Sequence, residues 1–246
     1  MRNFEEILDG PANNPRVGLK EENADWKTCI KILGINISYN KQEAIKLNFQ
    51  TKLIKIKQIL NIWAHRDLTI YGKILLIKSF ALSQILHISS ILPVPDKFIS
   101  DLEEIVYNFL WNGKQHKVKK HVIIQKYENG GQNMISIQDM ITGQRLTWIQ
   151  KYLRRNNSYW KDTMESILNI DYLDIFLQSN FCIPHRITEF YRTVLQCWKN
   201  TRNDNIKSSE VIKEQYIWYN QHIKFNPNKR YMHAYIDKGI LKIKDI

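Results

Sequence analysis

The sequence predicts a mainly α-helical protein: a three-helix bundle, preceded by a short strand or hairpin and followed by a second, irregular helical region. Three observations predict the bundle. Apolar residues recur every three or four positions through residues 41–63, residues 70–92 are apolar on nearly every side, and residues 96–111 carry apolar residues at heptad-like spacing. Pro93 and Pro95 separate the second helix from the third. At 246 residues, 43% of them hydrophobic, the chain can bury a core.

Composition shifts divide the chain into four predicted segments. Residues 1–28 form a loose polar leader, 29–112 hold the strand and the bundle, 113–131 form a basic linker, and 132–246 form the second helical region. In that last region Ser136 is predicted to cap a helix that reaches about residue 155. Shorter helices are predicted at about residues 159–168, 186–200 and 208–212, and immediately before Gly239.

The stretch WAHRDLTIYGKILLIK, Trp63 to Lys78, organises the bundle. It is predicted to be the end of one helix, a tight corner, and the start of a second helix. Thr69 is predicted to cap the second helix, and Gly72 to let another backbone come close. Because that second helix is apolar nearly all round, it is predicted to lie buried at the centre of the bundle and not to span a membrane.

The charge of the chain indicates a polyanionic partner. The net charge is +12 and the sequence pI is about 9.5, which favours nucleic acid first. Residues predicted to contact phosphates lie along the corner and in the linker: Lys46, Lys52, Lys55, Lys57, Arg66, Lys73, Lys78, Lys114, Lys117, Lys119 and Lys120. The alternatives are ordinary solvation of the helices and a solvated linker; the linker lysines also fit a nuclear-import patch.

Other residue types add little chemistry. Three scattered cysteines and an acidic start without an apolar core predict an intracellular protein that is not secreted. Cys182 and His185 lack the paired ligands that zinc needs, so no metal or other cofactor is predicted. Most tryptophans have helical spacing and are predicted to be core residues, with base stacking as the alternative: Trp63, Trp111, Trp148, Trp160, Trp198 and Trp218.

Seven motifs in order carry a family resemblance. They are KILGINI, the corner motif W-x-x-R-x-L-T-I-x-G-K-I-x-x-I-K, LPVP, FLWNGK, a Gly-Gly turn, the helix around Trp148, and IWYN followed by KGILKIKDI. In this order the chain resembles a non-LTR (LINE-type) retrotransposon polyprotein, from about Lys31 to Ile246. The similar part is the thumb of its reverse transcriptase and the helical region that follows.

The resemblance implies a role for several motif positions. Gly34 would lie in the last palm strand, the corner would lie against the template–primer duplex, and the segment ending at Gly113 would close the thumb. The motif positions so implied are Gly34, Trp63, Leu68, Thr69, Gly72, Trp111, Gly113, Gly130, Gly131, Trp148, Trp218, Asn220 and Gly239. The parent activity would be RNA-directed DNA polymerisation with Mg²⁺, and the partners would be RNA–DNA hybrid or duplex and the missing palm and fingers.

The sequence also departs from the family. The polymerase needs a Tyr/Phe-x-Asp-Asp hairpin for its two metal ions, and the chain contains no Asp-Asp pair. We therefore expect a carboxy-terminal fragment that binds nucleic acid but has no catalytic activity of its own. Two alternatives stay open: a decayed retrotransposon remnant without a selected function, and a helical protein-interaction module.

Overall fold

A computed structural model describes residues 29–115, 117–154, 159–202, 209–223 and 229–246. The predicted leader, residues 1–28, lies outside the described residues. The chain divides into two compact units, residues 1–44 and residues 45–246. The described part is mainly α-helical with a short antiparallel hairpin on its amino-terminal side, as predicted.

The first unit contains the predicted hairpin. Strands β1 (Cys29–Ile32) and β2 (Ile35–Ser38) pair antiparallel, with Ile30 opposite Ile37 and Ile32 opposite Ile35. Leu33 and Gly34 form the two-residue turn with φ of 48° and 83°. Left-handed values at both turn positions match the twist of the strands, and they explain the glycine of the KILGINI motif.

The helices carry the rest of the fold. Two π-helical turns, Lys46–Gln50 and Ile77–Leu82, lie within the first two helical stretches of the chain. The α-helices are α1 (Lys41–Ile45), α2 (Thr51–Ala64), α3 (Ile70–Leu76), α4 (Ser83–Ile91), α5 (Asp96–Leu110), α6 (Lys120–Ile124), α7 (Ile137–Leu153), α8 (Tyr159–Leu168), α9 (Leu173–Gln178), α10 (Glu189–Thr201), α11 (Ser209–Lys213) and α12 (Lys229–Asp237). Two 3₁₀ turns are Tyr127–Asn129 and Ile243–Asp245. Helix α9 was missed by the sequence analysis.

The predicted corner joins α2 to α3. The Thr69 side-chain oxygen accepts a hydrogen bond from the Gly72 N–H at 3.2 Å, which confirms the N-cap. The proposed reason for Gly72 is wrong, because no other backbone crowds it. A Cβ there would meet only the side chains of Thr69 and Leu68, at ordinary distances of 3.5–4.0 Å.

The predicted three-helix bundle is present. Helix α2 packs on α5 and on the segment Ile77–Ile91, and α3 packs on α5. The rings of Phe49 and Phe98 meet edge to face, with centroids 4.9 Å apart. The core side chains are at most 4% exposed: Phe49, Ile56, Leu60, Ile74, Ile77, Ala81, Leu82, Ile85, Ile88, Phe98, Leu102, Val106 and Leu110.

The helical stretch Ile70–Ile91 is less buried than predicted. Among the described helices it is the one whose length and apolar composition would allow it to cross a membrane, and these two properties are the only basis for that statement. Its buried side packs on α2 and α5, but Leu75, Phe80 and Leu86 stay 52%, 47% and 43% exposed. The neighbouring helices α2, α5 and α7 leave one side of this stretch open to solvent, so the predicted burial on all sides is wrong.

The Gly-Gly turn is confirmed and has a steric cause. Gly130 has φ of 76°, in the left-handed region. A Cβ on Gly131 would lie 2.0 Å from the carbonyl oxygen of Gln125, a distance that no side chain can occupy. The segment predicted as a linker therefore includes ordered structure, with α6 in it and Ile123 only 2% exposed.

The second helical region builds its own cores. Helices α7, α8, α9 and α10 contribute to one apolar cluster, and residues 216–219, α9 and α12 contribute to a smaller one. The Ser136 side chain accepts from the Asp139 N–H at 3.2 Å, which confirms the predicted cap of α7. Helix α7 also contacts α4 and α5, so the bundle and this region pack together.

Candidate nucleic-acid interface

The corner and the carboxyl end of α5 lie at the same end of the bundle. A groove of about 660 Å³ runs between α2 and α5, and its lining continues from Leu53 and Asp101 to His65 and Gly113. Lys73, one turn beyond the corner, bonds to the last carbonyls of α5. We call this end, residues 65–71 with residues 112–115, the corner end.

Lys73 is a structural residue, and its prediction as a phosphate contact is wrong. Its side chain is 5% exposed, and its Nζ donates to the carbonyl oxygens of Phe109 at 3.1 Å and Leu110 at 3.3 Å, and to the side-chain oxygen of Asn112. The Phe109 carbonyl also accepts from the Asn112 N–H at 3.4 Å, and the ammonium adds a donor for both carbonyls beyond the last turn, so it caps α5. Burial lowers the pKa of Lys73 below the usual lysine value.

Arg66 is the exposed cation at the turn itself. Its guanidinium carbon lies 4.4 Å from the centroid of the Trp63 ring, whose other contact is the ring of Phe80 at 6.2 Å. Trp63 is half-buried and Arg66 is exposed. A guanidinium that lies against an indole stays charged, and its solvent-facing N–H groups can still donate to a phosphate.

The lysines of α2 divide between two flanks. Relative to the buried Ile56, Lys55 and Lys57 lie about 100° away in opposite directions around a regular helix. Lys57 lines the groove across from Asp101 and Glu104, so its charge faces carboxylates. Lys52, which is half-buried, shares the flank of exposed Lys55. Exposed Lys46 lies in the first π turn, and half-buried Lys78 lies in the second.

The linker lysines divide in a similar way. Lys114 is exposed at the corner end, and Lys117 and Lys119 are exposed in the segment between it and α6. Lys120 donates to the carboxylate of Glu103 at 2.8 Å and lies 4.9 Å from the ring centroid of Tyr107. Its charge is therefore balanced locally, and the surface cations of this segment are the other three.

Arg145 is a buried cation that the sequence analysis missed. It is 1% exposed, and its guanidinium donates at 2.6 Å to the carbonyl oxygens of both Ser89 and Leu92, at the end of α4. Burial lowers its pKa from the usual arginine value. The signal was its spacing, because it stands four residues from Ile141 and from Ile149, on the buried stripe of α7.

The remaining motif positions are structural. Trp111 and Trp218 are 7% and 3% exposed. The indole N–H of Trp148 donates to the Ser90 carbonyl at 3.0 Å, and that of Trp198 donates to the Leu177 carbonyl at 2.7 Å. These four tryptophans act as core or capping residues, so the alternative of base stacking is wrong for them.

The two carboxy-terminal motifs meet each other. The Trp218 indole donates to the Ile240 carbonyl at 2.8 Å, and residues 215–217 pair with 241–243 through two backbone hydrogen bonds. Asn220 is 5% exposed and donates to the Tyr216 carbonyl, while Gly239 has φ of 81°. IWYN and KGILKIKDI thus form one structural unit.

No metal centre is found in the part of the chain that the structure describes, where no three His, Cys, Asp or Glu side chains group as ligands. Cys182 instead contacts the side chain of Gln221 at 3.3 Å. No family model matches the chain. The functional argument therefore depends on the geometry and charge of the corner end.

Proposed function

We propose that the chain is a non-catalytic nucleic-acid-binding unit that grips the backbone of RNA–DNA hybrid or duplex through the corner end. The observation that carries the proposal is a set of four exposed cations, with Arg66 at the turn between α2 and α3 and three lysines in the segment that follows α5: Lys114, Lys117 and Lys119. Lys52 and Lys55 lie on the flank of α2 opposite to the groove and would add secondary phosphate contacts. Lysine and arginine contacts to phosphate bind without reading sequence.

In this proposal the chain acts as the thumb-like, carboxy-terminal part of a LINE-type reverse transcriptase. The chemistry of RNA-directed DNA synthesis and its Mg²⁺ ions would belong to a palm that carries the Asp-Asp hairpin. The chain's own contribution is grip on the template–primer, and the palm and fingers are its proposed protein partners. Its proposed location is inside the cell, in the nucleus or the cytoplasm.

The salt dependence of binding tests the proposal. Four phosphate contacts predict a slope of about −3.6 in log K against log salt, which is roughly a 150-fold loss between about 50 and about 200 mM salt. Fluorescence anisotropy of a labelled RNA–DNA hybrid measures this slope. The triple variant Lys114→Gln, Lys117→Gln, Lys119→Gln is expected to make the slope shallower by nearly three.

A matched control removes the same charge from another surface. Lys151, Lys213 and Lys238 are exposed on α7, on α11 and after α12. Changing these three to glutamine is expected to leave the slope within about one of wild type. Absence of binding at low salt refutes the proposal, and so does an equal loss in both triple variants.

A second candidate function is protein binding through the exposed side of Ile70–Ile91. Leu75, Phe80 and Leu86 expose apolar surface on a helix that otherwise forms the core, and such surface commonly marks a contact with another protein. For this function Phe80→Glu would abolish association, measured by sedimentation velocity, and would leave hybrid affinity unchanged. The decayed-remnant alternative predicts no cooperative thermal transition by circular dichroism.

A further inference from the structure

Two exposed tyrosines lie side by side next to the corner. Tyr71, in the first turn of α3, is 57% exposed, and Tyr127, which begins a 3₁₀ turn after α6, is 51% exposed. Their ring centroids are 6.3 Å apart, and the ring planes are tilted by 46°. The two rings come from segments 56 positions apart in sequence, and together they present one aromatic surface to solvent.

The backbone under both rings is fixed. Tyr71 follows the Thr69 cap, whose hydrogen bond to Gly72 holds the first turn of α3. The carbonyl of Tyr127 accepts from the Gly130 N–H at 3.0 Å, within the turn that Gly131 packs against Gln125. Side chains on a rigid backbone lose little entropy when a ligand binds them, so the pair is preorganised.

Each tyrosine has an exposed cation near it in sequence. Lys126 is exposed beside Tyr127, and Arg66 is exposed five residues before Tyr71. The acids near the pair in sequence are Glu128 and Asp67, which are also exposed. Two exposed cations and two exposed acids therefore lie close to the pair in sequence. An aromatic surface bordered by cations is the arrangement with which proteins hold unpaired nucleotides.

We propose that Tyr71 and Tyr127 form a stacking platform for unpaired nucleotides that extend from the duplex held at the corner end. The proposal rests on the proposed function and adds the kind of nucleic acid that the site prefers, a duplex with a single-stranded overhang. The contact is insensitive to base identity because every base has a π face. An aromatic contact of this kind contributes about 5-fold to about 150-fold in affinity per base.

The test compares two ligands and two variants of the full chain. A blunt RNA–DNA hybrid and the same hybrid with a short single-stranded overhang are titrated by fluorescence anisotropy at one salt concentration. Wild type is expected to bind the overhang ligand at least about tenfold more tightly, by the stacking contribution of the two rings. The variant Tyr71→Leu, Tyr127→Leu is expected to lose that gain and to bind the blunt hybrid as wild type does.

The matched control changes two other exposed tyrosines. Tyr159 and Tyr231 are 93% and 62% exposed, on α8 and α12. The variant Tyr159→Leu, Tyr231→Leu is expected to keep the overhang gain. Equal affinity of wild type for both ligands overturns the platform, and so does an equal loss of affinity for both ligands in the Tyr71/Tyr127 variant. Absence of binding to either ligand refutes the proposed function instead.

A measurement on the wild-type chain does not depend on the folding of any variant. With 5-iodouridine in the overhang, light-induced cross-links mapped by mass spectrometry are expected at Tyr71 or Tyr127. Cross-links found only at other residues would overturn the platform, while the grip on the duplex would stand.

Discussion

Replacement of Lys73 by methionine tests whether this lysine stabilises the fold or contributes to the proposed binding of nucleic acid. Methionine keeps most of the buried stem and removes the ammonium that donates to two backbone carbonyls and to Asn112. Each buried acceptor left without a donor costs about 1–3 kcal/mol. The variant also no longer buries an ammonium charge, and the desolvation cost that it avoids offsets part of this loss. We expect a net loss of about 2–3 kcal/mol in the free energy of unfolding.

Thermal unfolding followed by circular dichroism measures this loss. For a domain of this size we expect the melting temperature to fall by roughly 4–12 °C. Lys55→Met is the matched control, because Lys55 is exposed on α2 and makes the same change of side chain. It is expected to leave the melting temperature within about 1 °C and to weaken binding to RNA–DNA hybrid by several-fold at low salt.

The two variants together can refute the reasoning. A Lys73→Met protein that melts like wild type but binds hybrid weakly would return Lys73 to the phosphate-binding set. Its buried contacts to Phe109 and Leu110 would then contribute nothing to stability. The opposite pattern, stability lost and binding kept at temperatures below the transition, is the expected one.

Three further predictions follow from local geometry. Gly131→Ala is expected to cost about 1–3 kcal/mol in the free energy of unfolding, because its Cβ would overlap the Gln125 carbonyl. Gly143→Ala is expected to stabilise the protein by about 0.5–1 kcal/mol, because the space around Gly143 in α7 is open. Chemical denaturation measures both changes. Arg145→Met is expected to cost about 2–3 kcal/mol in the same assay, since it leaves the Ser89 and Leu92 carbonyls without their guanidinium donor. Side-chain hydrogen bonds from Lys242 and Lys244 lower the pKa of Glu214 to about 2. The contribution of Glu214 to stability is therefore present above its usual pKa near 4.5 and is lost as the pH falls toward 2. In the Lys242→Gln variant, an NMR titration is expected to place the midpoint of Glu214 closer to its usual value.

The sequence predicts those features whose cause is local. The Thr69 cap and the Gly-Gly turn each follow from the conformation of a few consecutive residues. The implied place of Gly34 within a strand is wrong, because it lies in the turn between β1 and β2. The three helices of the bundle follow from periodicity and from Pro93 and Pro95. Helix α9 was missed because it has only six residues, four of them apolar, and so short a segment shows no periodicity.

Features that depend on distant residues were predicted less well. Lys73 stands four residues before the buried Ile77, so its place at the edge of the apolar face was readable, but its partners lie 36 to 39 positions away. The partners of Arg145 lie 53 and 56 positions away. The two π turns also shift the faces of the helices from their predicted positions. A helical wheel drawn at a constant 100° per residue does not describe a π turn, so it misplaces the residues that follow one.

Net charge therefore overstates the binding surface of this chain. Lys73 ends α5, Arg145 ends α4, and Arg202 donates to the Leu177, Gln178 and Ser179 carbonyls at the end of α9. Each of these cations caps the carboxyl end of a helix, because that end carries a partial negative charge and its last carbonyls lack N–H donors from a following turn. Such residues add to the +12 of the sequence without facing a ligand. If all eleven predicted cations contacted phosphate, the slope of log K against log salt would approach about −10. The four exposed cations that carry the proposal predict about −3.6, and the measured slope decides between the two.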